Sequence, residues 1–140
     1  QMAPAVRHFE ASVALKPDSA AARFNLGTAQ AQAGLLDQAV GSFRAALARR
    51  NDYALAHGNL GQVLLAQGKT GDALKHLQEA VRLDAANPQA LAGLAEAYAA
   101  AGSFDLAIET IDRAIKLPMP EALATRVLAR RAEFVQRRPQ

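Results

Sequence analysis

The chain has 140 residues, about one ordinary domain, and is 51% hydrophobic and 21% charged, as expected of a packed globular protein. It has no cysteine, which excludes disulfides, thiol nucleophiles and cysteine-ligated metals and leaves the compartment open. A net charge of +3 is too mild for nucleic-acid or anionic-membrane binding without a clustered basic face, and no apolar run approaches the roughly 20 residues of a membrane span.

Residues 1–16 begin QMAPAVRHFE, an amphipathic stretch without the continuous apolar centre of a secretion signal. Because the chain opens on Gln1, we expect that its natural N-terminus has been removed. From residue 20 onward one pattern recurs every 34 residues: NLGTAQAQAGLLDQA at 25–39, NLGQVLLAQGKTGDA at 59–73 and GLAEAYAAAGSFDLA at 93–107. This strict period predicts three units, 20–53, 54–87 and 88–121.

Each unit opens with an apolar pattern of helical period and reaches a glycine, at Gly34, Gly68 and Gly102, where the first helix should stop. Asp37, Asp72 and Asp105 follow, placed to cap a second helix and to complement its dipole. Asn87-Pro88 is a further start signal, a capping amide before a first-turn proline. Each unit therefore reads as an antiparallel helix pair. Small residues fall where the two helices should cross: Gly27, Gly61 and Ala95 on the first, Ala39, Ala73 and Ala107 on the second. Phe43, Leu77 and Ile111, one turn later, supply bulk on the same face. One pair cannot bury its outer apolar stripe, so successive pairs must stack into an all-α, right-handed solenoid. After Pro118 and Pro120 a final helix is expected over 122–138, with an inner stripe of Leu123, Val127, Leu128 and Phe134 and an Arg-rich outside.

These positions resemble the tetratricopeptide repeat family, whose pattern is W-x2-L-G-x2-Y, then A-x3-F, then Ala and Pro. The chain keeps Leu-Gly (Leu-Ala in the third unit), both alanines and the bulky residue between them. Its departures are Arg23, His57 and Leu91 at the Trp position, Gln30, Leu64 and Tyr98 at the Tyr position, and Asn51, Ala85 and Met119 at the Pro position. Carried back by 34 residues, the second-helix positions fall on Ala5, Phe9, Ser12 and Pro17. Residues 1–16 thus resemble half of an earlier repeat, and 122–138 a capping helix, giving one array over 1–140.

The resemblance implies a protein-binding module that holds a peptide or an extended partner segment on its concave face. The facing residues would include Phe24, Asn25, Thr28, Leu55, Asn59, Gln62, Leu65, Gln89 and Glu96. Asn25 and Asn59 resemble the asparagine ladder of protein O-GlcNAc transferases; Gly93 breaks the third rung. The carboxylate clamp of chaperone-binding relatives is not expected, because Phe24, Thr28, Gln89 and Gly93 leave Asn59 without any cation. An alternative role is a recruiting appendage of a larger enzyme such as a bacterial glycosyltransferase. A half-repeat would also leave Val6, Phe9 and Val13 uncovered, an edge for weak self-association.

No cofactor, metal, nucleic-acid or membrane partner is expected. His8, His57 and His76 have no suitably spaced third ligand, and the pairs Arg49-Arg50, Arg130-Arg131 and Arg137-Arg138 read as solubilising helix ends without aromatic interleaving. No Ser-His-acid set or phosphate loop is present, so catalysis within these residues is not expected.

Overall fold

The computed structural model describes residues 3–139; Gln1, Met2 and Gln140, included in the ranges above, lie outside them. Among the described residues the order is α1 (Pro4–Leu15), α2 (Ala20–Gln32), α3 (Leu36–Arg49), α4 (Ala54–Ala66), α5 (Thr70–Leu83), α6 (Pro88–Ala100), α7 (Phe104–Ile115) and α8 (Glu121–Arg137), with no strand. Each helix packs on the next, and α2, α4, α6 and α8 also meet in succession. This is an α-solenoid of three helix pairs, with a half-repeat helix before them and a capping helix after.

The helix ends follow from local chemistry. Ser19 accepts the Ala22 amide at 3.0 Å, and Asn87 accepts those of Gln89 and Ala90 at 3.0 and 3.3 Å. Gly34, Gly68 and Gly102 have φ of 79°, 78° and 81°, a left-handed turn that a side chain would strain. The amide after each glycine reaches back into the helix, Leu35 to Gln30, Lys69 to Leu64 and Ser103 to Tyr98, each at 2.9 Å. These turns are so tight that the following helix begins before the acidic residue. Asp37, Asp72 and Asp105 therefore stand inside the first turn and make no capping bond, contrary to expectation. From there their charge complements the helix dipole without a capping bond.

The crossing points are as close as the small residues suggest. A Cβ built on Gly27 would lie 2.8 Å from the Phe43 ring, and one on Gly61 would lie 2.5 Å from Leu77 Cγ. Phe43, Leu77 and the equivalent Ile111 are almost wholly buried. Two main clusters make the core, one spanning α3 to α7 and one joining α6, α7 and α8, with Tyr98 and Met119 packed against both.

Two expectations about the ends need correction. Val6 is 0% exposed: α1 turns that face onto Leu26 and Ala29 of α2, with Phe9 and Val13 half-buried beside it. The apolar residue left open there is Leu15, 82% exposed. On α8, Leu123, Val127 and Phe134 are buried but Leu128 is 54% exposed. Leu128 follows Val127 by one residue, about 100° round the helix, so both cannot face inward.

Candidate functional site

The concave face is lined by α2, α4, α6 and α8, the first helices of the pairs and the capping helix. Two clefts run along it. The larger, about 500 Å³, is bounded by Gln62, Leu65 and Ala66 of α4, Gln89, Ala92, Gly93 and Glu96 of α6, and Arg126, Val127 and Arg130 of α8, with Ile111 beneath. The smaller, about 270 Å³, lies between Thr28, Ala31 and Gln32 of α2 and Asn59, Gln62, Val63 and Ala66 of α4. Gln62 and Ala66 border both, so the two clefts adjoin along α4 on the same face.

The polar groups within it differ from rung to rung. Asn25 is exposed and borders a separate notch beside Phe9, Ser12 and Leu15. Asn59 donates to Thr28 Oγ1 at 3.4 Å, tying α4 to α2. At Gly93 the vacated space is taken by Leu77 and Gln62, whose Cδ2 and Nε2 would lie 3.1 and 3.2 Å from an added Cβ. The broken third rung is thus filled in part by an amide from the neighbouring helix.

The arginines of α8 fasten that helix to the array. Arg130 Nε meets Glu96 at 2.6 and 3.0 Å, its NH1 meets Glu133 at 2.5 Å, and its guanidinium lies 5.0 Å over the Phe134 ring. Arg131 holds Asp112 through two bonds, at 2.5 and 3.3 Å. Arg138 reaches Asp105 at 3.5 Å, and Arg137 lies over Phe104. The outer face expected only to solubilise the cap thus also latches it.

The tetratricopeptide repeat profile matches residues 3–57 and 59–122. The chain belongs to this family. Two solved structures similar to it are both of MamA. One has a TM-score of 0.76 at 18% identity, over 94% of this chain and 85% of that one. The other has a TM-score of 0.74 at 22% identity, over 94% and 76%. At such identities the likeness concerns the fold. No curated protein matches. Tetratricopeptide repeats are generally protein–protein interaction modules, and this array shares that general role.

Within the repeat framework, Thr28, Asn59, Gln62, Leu65, Gln89 and Glu96 border the groove. Phe24 does not: its ring packs 5.9 Å from Phe43 and 5.0 Å from Tyr53. Leu55 is 52% exposed and borders neither cleft. The carboxylate of Glu96 is engaged by Arg130. Sequence reasoning missed Arg126, Val127 and Arg130 as a wall of the groove. A signal existed, since Arg130 follows Glu96 by one repeat length.

Outside the groove, His57 and His76 sit in the second repeat with Nδ1 atoms 3.1 Å apart and rings stacked at 5.3 Å. His57 Nε2 lies 2.9 Å from the Asn51 carbonyl, to which it can only donate, so in the neutral pair His57 Nδ1 accepts from His76. Burial lowers the proton affinity of His76, and the charges of His57, Arg44 and Lys75 lower it further against a weaker opposing pull from Asp72. Among the described residues no three His, Asp or Glu side chains converge as a metal site would require.

Proposed function

We propose that the chain binds an extended peptide segment of a partner protein along its concave groove. The observation that carries this reading is that the two clefts lie side by side on one face and share Gln62 and Ala66 of α4. Neighbouring helices stand about 10 Å apart and an extended chain rises about 3.3 Å per residue, so the smaller cleft, one interval wide, accepts about three residues and the larger, two intervals wide, about six. Carboxamides that both donate and accept can pair with peptide bonds of any sequence, while Leu65, Ala92 and Val127 offer shallow apolar contact.

Ala66 supplies the test, because it is exposed, ends α4 and borders both clefts. Ala66→Arg fills the junction without touching the core. Wild type is expected to bind members of a synthetic hexapeptide library, and Ala66→Arg, with an unchanged circular dichroism spectrum, to lose them at least tenfold. Equal binding by both proteins would place the working surface elsewhere.

A further inference from the structure

Three charged side chains border the larger cleft: Glu96, Arg126 and Arg130. Two of them neutralise each other, since Glu96 and Arg130 form a doubly bonded pair, and Arg130 is further held by Glu133. Arg126, one helical turn before Arg130, makes no ion pair or side-chain hydrogen bond among the described residues. Arg126 is therefore the charged side chain of the cleft lining left without a partner among the described residues, set above a floor where Ile111 and Val127 are each 1% exposed. Charge beside such an apolar floor is less screened than charge facing open water.

We propose that Arg126 makes this cleft selective for an internal Asp or Glu side chain of the bound peptide, next to an apolar residue. This rests on the reading of the groove as a peptide site. An acidic side chain gains a guanidinium partner that bonds a carboxylate through two donors. A basic one meets Arg126 with Glu96 already engaged. The match is to a side chain rather than a chain end because the second cleft adjoins beyond Gln62 and Ala66, leaving room for the peptide backbone to run on. Arg126 is exposed, on the wall where a side chain branching from that backbone would reach it. Gln62 and Gln89 serve the backbone; Arg126 supplies the discrimination.

The probe is a positional-scanning library of N-acetylated, C-amidated hexapeptides, which carries no terminal carboxylate, read by fluorescence polarisation competition. Wild type is expected to prefer Asp and Glu over Asn and Gln at one position by about tenfold, the scale of one charge-assisted contact. Raising the salt should shrink that preference. Arg126→Gln should abolish it while the apolar preference at the neighbouring position remains, and Arg126→Glu should turn it toward Lys and Arg. Peptide binding that is blocked by Ala66→Arg but shows no acidic preference, or one that survives Arg126→Gln, overturns the assignment to Arg126 and leaves the groove reading intact. No binding that Ala66→Arg can block overturns both.

Discussion

Gly58 and Gly61 lie one turn apart on α4, and the structure predicts that the same substitution acts on them with opposite sign. Replacing a helical glycine by alanine favours the folded chain by about 1 kcal/mol through backbone entropy. At Gly58 the new methyl would lie 3.7 Å from Ala80 Cβ, an ordinary contact. The position is buried, so the methyl adds up to about 0.8 kcal/mol of apolar burial. Gly58→Ala should stabilise by about 1–2 kcal/mol. At Gly61 the methyl would lie 2.5 Å from Leu77 Cγ and 3.2 Å from the Ala73 carbonyl. The first is a branch carbon of a side chain that is 0% exposed, and the second is backbone. Neither yields cheaply, and overpacking of this kind costs about 1–3 kcal/mol and sometimes more. Net of its helical gain, Gly61→Ala should destabilise by up to about 2 kcal/mol. The third repeat carries Ala95 where Gly61 stands, opposite Ile111 in place of Leu77, so Leu77→Ile should recover part of the loss. Urea unfolding followed by circular dichroism measures all four proteins, with the slopes compared because repeat arrays can lose cooperativity. A Gly61→Ala protein as stable as Gly58→Ala would refute the close-crossing argument.

Two further outcomes follow from the ends and the histidine pair. Phe134 is 0% exposed and anchors α8, so Phe134→Ala should cost about 3–5 kcal/mol locally; amide exchange should quicken in α8 and α7 while α3 to α5 stay protected, and uniform loss across the array would contradict this. His76 binds its proton less readily in the fold than at its ordinary value of 6.5, so the folded chain holds fewer protons than the unfolded one in that window. Stability should therefore be full above about pH 7 and fall as the pH drops through 6.5 toward the folded value. Melting temperatures between pH 8 and pH 5 should show a smaller drop for His76→Gln than for wild type, and identical curves would remove His76 as the cause.

The parts legible in the sequence are those that backbone geometry dictates and the repeat states three times. Gly34, Gly68 and Gly102 announce left-handed turns, and Gly27, Gly61 and Ala95 announce crossings, because no other residue types satisfy those positions without strain. Phe24 was less legible. Arg23, in the Trp position, turns away to the Pro17 carbonyl at 3.3 and 3.2 Å, and Phe24 supplies the aromatic bulk against Phe43 and Tyr53 instead. Arg126 in the α8 wall, unlike Arg130, was illegible for a different reason. It occurs once, so no second copy distinguishes Arg126 from the solubilising arginines around it. Val6 misled because burial on α2 depends on how α1 rolls, which the period does not set.

A repeated unit makes a repeated groove, and a uniform groove would let an extended ligand slip by one rung with little change in energy. The rungs here are not uniform. Asn25 stands open, Asn59 is tied to Thr28, and Gly93 gives its space to Leu77 and Gln62. The same Gln62 borders both clefts, so the departure at Gly93 reshapes the junction rather than one rung alone. Arg126 then falls within the cleft where the ladder is broken. A peptide shifted by one cleft would exchange a free guanidinium for an amide already engaged with its neighbour. On the proposed peptide reading, the consensus positions would supply affinity toward any backbone, and the positions where the chain leaves its own consensus would fix the register of one.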